Sequence, residues 1–398
     1  MKEPQHTQNR RVNACVAVVG SGGNIGSHLV GLLARRPEVR RVLLVDQGRY
    51  EEKNLTSQDI RAADVGKPKV RVQKERLARI RPDLDVKAIH AGIEAVPRGN
   101  LRADVILSGL DSLESRQSVN EIVWRLNVPW IDAGVRGTGR LARVTIYRPG
   151  LDRPCLECAW DHRQYDNLRQ TCPCDGGGQF EAPATRAPAA LGALAASLAA
   201  IEFEKMMSGE APVQCGREIV FDALNNRCLT GSRRRNPDCR FDHEPWAIDR
   251  VEIDRSRATL RDLFSLLCRN GKSANASLSI EGDRFVSGLT CRTCGATRRL
   301  LRLRQRLPTS SRHCRHCGGA MIATGIELRS ALDFNALSAH HRATRLASIG
   351  LDAGDILTIQ SDSSIRHIEL VETSRNEEKS MPDRGTRSQA TPGKEGSK

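Results

Sequence analysis

The sequence predicts an α/β fold in which a Rossmann-like domain is followed by a smaller α+β domain that contains a zinc ribbon. Near the start, an apolar run leads into V-G-S-G-G-N-I-G and then an amphipathic segment, the order of a β-α-β unit. Near residue 300, two C-x-x-C-G motifs flank an arginine-rich stretch. We predict domains at 1–248 and 249–373, and a polar, disordered tail at 374–398.

The glycine turn predicts a nucleotide site. A strand at Cys15 to Val19 ends at the turn, whose glycines allow a tight bend and let backbone N–H groups approach an anion. A helix predicted from His28 to about Arg36 adds the positive end of its dipole. Asp46 closes the next apolar run, where a carboxylate accepts hydrogen bonds from a ribose. The predicted contacts are Asp46 and Gly20, Gly22, Gly23 and Gly26, and they fit a dinucleotide or ATP equally.

Further polar groups follow the later strands of the first domain. Lys69 lies in G-K-P-K, directly before a helix predicted at Val70 to Ile80. Asp111 lies in L-D-S-L-E-S-R, just after a strand predicted at Asp104 to Ser108. An aspartate at this edge of an α/β sheet can hold Mg²⁺ against phosphates, and it can also cap the following helix. Both interpretations stay open.

Cysteine pairs predict metal binding in the first domain. Cys155 and Cys158 form C-L-E-C, a spacing that lets two thiolates bind one metal ion. The other two ligands come either from Cys172 and Cys174, or from Cys239 and His243. Cys172 and Cys174 also lie in a glycine-rich loop, where an accessible thiolate is a candidate nucleophile.

The second domain carries a stronger metal signal. Cys291, Cys294, Cys314 and Cys317 form two knuckles, each followed by glycine, as in a structural zinc site. A zinc ion would stabilise a domain that has little core of its own. His313 and His316 flank the second knuckle and are not needed as ligands when four thiolates are available.

Composition narrows the class of protein. The net charge is +15, but only 4% of residues are aromatic, which leaves few platforms for stacking bases, so solvated basic faces and an acidic partner are favoured over nucleic acid. The apolar window Ala187 to Phe203 is mostly alanine and meets Glu202 and Glu204, so no membrane span is predicted. Thirteen cysteines without a secretory signal pattern favour thiols and metal in the cytoplasm.

The ordered set of motifs resembles the ThiF/MoeB/ubiquitin-activating, or E1-like, adenylyltransferase superfamily. The set runs from G-S-G-G-N-I-G-S through V-D, N-L-T-S-Q, G-K-P-K, L-D-S-L-E-S-R, C-L-E-C and T-C-P-C to N-P-D-C. The resemblance implies adenylation, with Mg-ATP, of the C-terminal glycine of a ubiquitin-like protein, followed by capture of the acyl group on cysteine. It implies a bacterial-type conjugation pathway, an E2-like conjugating enzyme as a further partner, and a homodimer.

The resemblance also implies roles for individual residues. Asp46 would bind the ribose, Asn54 and Lys69 the phosphates, and Asp111 the Mg²⁺. Cys155, Cys158, Cys239 and His243 would hold structural zinc, and Cys172 would be the nucleophile with Cys174 as its alternate. Arginines 298, 299, 302, 304 and 306 would meet an acidic face of the partner.

The sequence departs from the family pattern at three places. Ser57 replaces the arginine of N-x-x-R-Q, Gly48 replaces a second acidic residue, and the segment before the first strand is short. Arg10, Arg11 or Arg116 could supply the missing positive charge. Two other functions compete with conjugation: adenylation of a sulfur-carrier protein, and a non-catalytic zinc-ribbon protein that binds nucleic acid.

Overall fold

An eight-stranded sheet forms the first part of the protein. The computed structural model describes residues 13–170, 187–209, 214–267, 276–361 and 364–373. Its first eight strands are β1 (Ala14–Val19), β2 (Val39–Val45), β3 (Asp85–Ile89), β4 (Val105–Gly109), β5 (Trp130–Arg136), β6 (Leu141–Tyr147), β7 (Arg217–Asp222) and β8 (Arg227–Ser232). The order is β3-β2-β1-β4-β5-β6-β7-β8, parallel from β3 to β5 and antiparallel from β5 to β8.

Helices cover both faces of this sheet, and their bounds are α1 (Asn24–Ala34), α2 (Lys69–Ile80), α3 (Leu113–Leu126), α4 (His162–Gln170) and α5 (Ala189–Ser208). One core contains Leu29 of α1, Leu77 of α2 and Phe203 of α5. A second core contains Trp124 of α3 and Trp130 of β5. Because both faces are covered, the parallel strands are almost continuously apolar, as the sequence pattern indicated.

Helix α1 begins four residues before the position predicted from the sequence. The prediction placed its start at His28, but the helix begins at Asn24 with Gly23 as its N-cap residue. The first helical turn, N-I-G-S, is mostly polar, so its sequence shows no apolar periodicity from which a helix could be predicted. The helix therefore starts directly at the glycine turn, and Gly26 lies inside it.

The remaining chain forms two smaller sheets. Strands β9 (Ile248–Glu252), β10 (Ser277–Ile280), β15 (Ala331–Asp333), β16 (Ile356–Ser361) and β17 (Ser364–Val371) form a sheet in the order β15-β10-β16-β17-β9. Strands β11 (Phe285–Cys291), β12 (Thr297–Leu303), β13 (Met321–Ile322) and β14 (Leu328–Arg329) form the ribbon sheet. The short helices are α6 (Leu260–Leu267), α7 (Ala339–Arg342) and α8 (Leu346–Ile349).

This architecture confirms the predicted α/β fold class with a cysteine-knuckle α+β part. The last strand of the first sheet ends at Ser232, and β9, which starts at Ile248, pairs with β17 of the second sheet. The predicted domain limits remain a prediction, and the tail at 374–398 lies outside the described residues. Within the described ranges, every helix is too short or too polar to cross a bilayer.

An ionic network centred on two buried arginines joins the two parts. Arg125 of α3 donates to both carboxylate oxygens of Asp242, at 2.6 and 2.8 Å, and to Glu281 beside β10 at 2.8 Å. Arg98 bonds Glu281 as well, and it donates to Glu121 of α3 at 3.0 Å. The Arg125 side chain is 5% exposed. Removing Arg125 would leave Glu281, which is 23% exposed, with Arg98 alone, while Asp242, which is 51% exposed, would be solvated by water.

We expect Arg125→Met to lower the free energy of unfolding by about 2 kcal/mol, because Glu281, which is 23% exposed, loses one of its two arginine partners and the Arg125 hydrogen bonds to Asp242 are lost. The urea unfolding midpoint measures this loss. Arg41→Met is the matched control, because it removes an ion pair whose side chains are 54% and 51% exposed. The control should cost less than about 1 kcal/mol, and equal costs for the two variants would contradict the role given to the network.

Candidate nucleotide site and metal centres

The Asp46 carboxylate holds the glycine turn and the loop after β2 together. The backbone N–H of Gly22 donates to Asp46 Oδ2 at 2.9 Å, and the N–H of Gly48 donates to Oδ1 at 2.8 Å. Each carboxylate oxygen keeps further lone pairs that can accept from ribose hydroxyls. Asp46, the residue predicted to bind the ribose, is therefore fixed in place by backbone N–H groups from both loops.

Two glycines of the turn are required by the packing around them. Gly20 has φ +75°, which favours glycine, and a Cβ there would lie 2.5 Å from the carbonyl oxygen of Gly109. A Cβ at Gly26 would lie 2.1 Å from the carbonyl oxygen of Gly20. Helix α1 thus sits directly on the turn, and its N-terminal N–H groups are brought to the edge where phosphates would bind. Gly23, as the N-cap residue, belongs to the same edge.

Lys69 reaches the glycine turn from the start of α2. Its backbone N–H donates to the Gly48 carbonyl at 3.0 Å, and its Nζ lies 5.5 Å from the centroid of the Tyr50 ring. A Cβ at Gly22 would lie 2.4 Å from Lys69 Cβ, so the lysine stem runs against the turn. Lys69, which was predicted to bind the phosphates, therefore contacts the glycine turn that was predicted to bind them as well.

The packing around Gly48 explains why this position, one of the three departures from the family pattern, is a glycine. A Cβ there would lie 3.1 Å from Lys69 Cε and 3.2 Å from Asp46 Oδ1. A larger residue would have to displace one of them. The absence of a side chain at Gly48 therefore leaves room for the Lys69 side chain. The backbone N–H of Gly48 donates to Asp46.

The Asn54 side chain stabilises its own loop. Asn54 Oδ1 accepts the backbone N–H of Glu51 at 2.9 Å, and the residue is 9% exposed. Three side-chain oxygens in this region are buried without a hydrogen-bond partner among the described residues: Ser21 Oγ in the glycine turn, Asn24 Oδ1 at the start of α1 and Gln58 Oε1 in the loop. Unpaired buried polar atoms at the rim of a turn fit a site that a polar ligand completes.

Asp111 follows the carboxyl end of β4 and points into solvent. The sequence left open whether it caps α3, and the structure shows that Ser112 is the N-cap, with its Oγ accepting the N–H of Ser115 at 3.1 Å. Asp111 is exposed and makes no hydrogen bond or ion pair with the described part of the chain. The carboxylate therefore remains available to a cation, the role predicted for it.

Arg116, which was predicted as a nucleotide contact, lies in a buried ion pair. Its guanidinium is buried against the Asp132 carboxylate, and its Nη2 donates to the carbonyl of Leu110 at 2.5 Å. Arg143 donates to the same carboxylate at 2.8 Å. Arg116 therefore fixes the turn that carries Asp111, and its charge is balanced inside the protein.

Sequence reasoning missed Tyr50 and Asp132. Tyr50 is 1% exposed, lies beneath Lys69 and accepts a hydrogen bond from Gln73 Nε2 at 2.7 Å, and burial raises its pKa. Asp132 is fully buried between two arginines, in a strand read only as apolar. A charged residue inside an apolar strand was the available signal, since it needs a buried partner.

Four residues converge on a first candidate metal centre. The ligand atoms of Cys155, Cys158, Cys239 and His243 all lie within 4.8 Å of one another. Cys155 and Cys239 have their sulfurs 3.8 Å apart, and Cys158 Sγ lies 3.3 Å from His243 Nε2. Sulfurs bound tetrahedrally to one zinc at 2.3 Å lie about 3.8 Å apart, so the spacing fits zinc.

Surrounding groups orient these ligands. His243 Nδ1 lies 2.7 Å from the Phe241 carbonyl, so it donates there and leaves Nε2 free for a metal. Asn120 of α3 accepts the N–H of Leu156 at 3.1 Å and so holds the turn between Cys155 and Cys158. The alternative ligands Cys172 and Cys174 lie outside the described residues, as does their role as nucleophiles.

The ribbon sheet carries the second candidate metal centre. Its ligand atoms also lie within 4.8 Å of one another, and the residues are Cys291, Cys294, Cys314 and Cys317. The sulfurs of Cys291 and Cys317 are 3.5 Å apart, and those of Cys294 and Cys314 are 3.7 Å apart. The backbone N–H of Cys294 lowers the pKa of the Cys291 thiol to about 6, which favours the thiolate that binds metal.

A glycine turn, an anchored aspartate, a lysine and a strand-end carboxylate meet at one sheet edge, as in a nucleotide-binding α/β protein. The ThiF family model matches residues 3–241, and the chain belongs to that family. Membership favours an enzyme over the non-catalytic nucleic-acid binder considered from the sequence.

Relatives share the first part of the chain. The sulfur carrier protein ThiS adenylyltransferase of Escherichia coli strain K12 is 27% identical over 236 residues, which are 58% of this chain and 87% of that protein. The SAMP-activating enzyme E1 of Haloferax volcanii is 24% identical over 241 residues, 58% of this chain and 81% of that one. The E. coli MccB structure with succinimide aligns with a TM-score of 0.47 at 27% identity, over 57% of this chain and 66% of MccB.

We expect Gly22→Ala to raise the Kd for ATP about tenfold, because its Cβ would lie 2.4 Å from Lys69 Cβ and 2.9 Å from Tyr50 Oη. Calorimetric titration of ATP measures the effect. Gly231→Ala is the matched control, since nothing lies within 4 Å of a Cβ there. Equal affinities in the two variants would show that ATP does not use this turn.

Proposed function

We propose that the protein uses Mg-ATP to adenylate the C-terminal glycine of a ubiquitin-like protein. The observation that carries the proposal is the meeting of Asp46, Gly22 and Lys69 at the carboxyl edge of the parallel strands. The relatives named as adenylyltransferases and activating enzymes support the same reaction class.

The chemistry requires positive charge beside the α-phosphate. A terminal carboxylate oxygen bonds to the α-phosphorus, the bond to the bridging oxygen breaks, and pyrophosphate leaves with the electron pair. Negative charge accumulates at that centre, and Lys69 would offset it. Asp111 would hold the Mg²⁺, which supplies further positive charge at the phosphates. Asp46 would orient the ribose, and the turn would donate backbone N–H groups to the phosphates.

The proposal includes a second chemical step and a pathway. The Cys172 thiolate, with Cys174 as the alternate, would attack the acyl carbon, form a thioester and release AMP. The acyl group would pass to the cysteine of an E2-like conjugating enzyme in a bacterial-type pathway. We place this activity in the cytoplasm, and we propose a homodimer.

Sulfur-carrier activation is the second candidate function. The observation that favours it is that relatives sharing about the same residues carry the names ThiS adenylyltransferase and molybdopterin-synthase adenylyltransferase. The adenylation step is common to both functions. The fate of the acyl group separates them: mass spectrometry of the product gives a thioester for conjugation and a thiocarboxylate for sulfur transfer.

Exchange of labelled pyrophosphate into ATP tests the adenylation step. Ubiquitin-like proteins with an exposed C-terminal glycine are supplied as candidate substrates, and exchange should depend on one of them. Asp111→Asn should reduce exchange about a hundredfold or more, because the metal loses its carboxylate. Asp166→Asn changes an exposed carboxylate on α4 and should leave exchange unchanged. Full exchange in Asp111→Asn would sink the site assignment.

We also propose that both cysteine centres hold structural zinc. Mass spectrometry of the purified protein should find two zinc ions per chain. Cys158→Ser should remove the ion of the first centre and Cys294→Ser that of the ribbon. Cys228→Ser is the control, because this exposed cysteine of β8 belongs to neither centre. Loss of zinc in the control, or zinc retained in both ligand variants, would refute the assignment.

A further inference from the structure

Lys69 lies at the nucleotide edge without an acidic partner. Its Nζ forms no hydrogen bond or ion pair with the residues that the structure describes, and its side chain is half-buried. A lysine ammonium is carried on a flexible four-carbon stem, so without further contacts it would occupy many positions. The contacts around the stem and the ammonium therefore decide where this charge lies.

Two glycines pack closely against the stem of Lys69. A Cβ at Gly22 would lie 2.4 Å from Lys69 Cβ and 2.9 Å from its Cδ. A Cβ at Gly48 would lie 3.1 Å from Lys69 Cε and 3.2 Å from its Cδ. The stem therefore runs close to the backbone of both loops, and its direction is restricted up to Cε.

The ring of Tyr50 lies under the ammonium at the end of this stem. Lys69 Nζ is 5.5 Å from the ring centroid, within the range of a cation–π interaction. Tyr50 is 1% exposed, so little water competes for the face of the ring. A ring face attracts a cation without neutralising it, whereas a carboxylate at the same place would cancel the charge. The ammonium is therefore held and still able to pair with a phosphate.

Buried side chains fix the orientation of the ring. Gln73 is fully buried, and its Nε2 donates to Tyr50 Oη at 2.7 Å. Arg76 Nη1 lies 3.5 Å from Gln73 Oε1 and donates to the carbonyl of Ser27 at 2.5 Å. Because Ser27 belongs to α1 and Gln73 and Arg76 to α2, the position of the ring is set by both helices.

The backbone also holds the tyrosine and the lysine together. The N–H of Tyr50 donates to the Lys67 carbonyl at 3.0 Å, and the N–H of Gly66 donates to the Tyr50 carbonyl at 2.8 Å. The N–H of Lys69 donates to the Gly48 carbonyl at 3.0 Å. The segment that carries the ring is thus hydrogen-bonded to the segment that carries the ammonium, so the pair forms one unit.

We propose that Tyr50 is a positioning residue, whose ring holds the Lys69 ammonium at the glycine turn, ready to bind a phosphate of ATP. The inference rests on the proposed function for the identity of the nucleotide. A group that is already in place loses less conformational freedom when the ligand binds, so the ring raises the affinity for ATP. The same contact keeps the ammonium where charge develops during adenylation.

Calorimetric titration of ATP into the full chain tests the role of the ring. Tyr50→Phe keeps the ring and should bind ATP with a Kd within about threefold of the wild-type value. Incorporation of 3,4,5-trifluorophenylalanine at position 50 keeps nearly the same shape, but its fluorine atoms withdraw electron density from the ring face. It should raise the Kd about fivefold over Tyr50→Phe, because the ammonium is no longer attracted.

The Lys69→Met background separates positioning from a structural role. If the ring acts through the ammonium, phenylalanine and trifluorophenylalanine at position 50 should give the same Kd in this background, measured at a protein concentration raised to match the weaker binding. A fivefold difference that persists without the lysine would overturn the proposal. Equal Kd values for the two residues in the presence of Lys69, or no binding of ATP by the wild-type protein, would also overturn it.

Phe334 provides the matched control, because Arg342 lies 4.6 Å from its ring centroid in the second part of the chain. The same fluorinated residue at position 334 should leave the Kd for ATP unchanged, and an equal rise there would contradict the assignment to Tyr50. Calorimetry needs no protein substrate. The predicted coupling without pyrophosphate exchange would therefore support the role of Tyr50 while contradicting the proposed reaction.

Discussion

The pairing of one carboxylate with two backbone N–H groups organises the nucleotide edge. Asp46 accepts from Gly22 on the glycine turn and from Gly48 on the loop after β2, so the ends of two neighbouring parallel strands are held at a fixed separation. That separation lets Lys69 run against Gly22 and under the loop. If Asp46 shifted, the relative positions of Asp46, the glycine turn and Lys69 would all change.

A second constraint links the first metal centre to the rest of the chain. His243 is a candidate ligand, and its neighbour Asp242 is bound by Arg125, which also bonds Glu281 of the second part. Three residues further on, Trp246 stacks on His367 with ring centroids 3.8 Å apart. The same short segment therefore carries candidate metal ligands and contacts the C-terminal sheet. A metal ion bound there would be linked to that sheet through this segment.

Much of this could be predicted from the sequence, because local patterns specify local structure. The β-α-β unit and the strand at Leu141–Tyr147 follow from apolar period, and the ribbon centre follows from ligand spacing. In the first centre, spacing gave Cys155 and Cys158 but left two choices for the other pair, and the family resemblance selected Cys239 and His243. The start of α1 could not be predicted, because its first turn is polar. The role of Arg116 also could not, because its partner Asp132 belongs to another strand and only the folded sheet brings the two together.

At this edge, the proposed reaction activates a carboxylate by bonding it to the α-phosphorus of ATP. Oxygen-18 in the terminal carboxylate of a ubiquitin-like substrate follows that bond directly. After the acyl group is transferred to a thiol, mass spectrometry should find one labelled oxygen in the AMP released, because the carboxylate oxygen stays on the α-phosphorus. Label in inorganic phosphate instead, with none in AMP, would contradict the account.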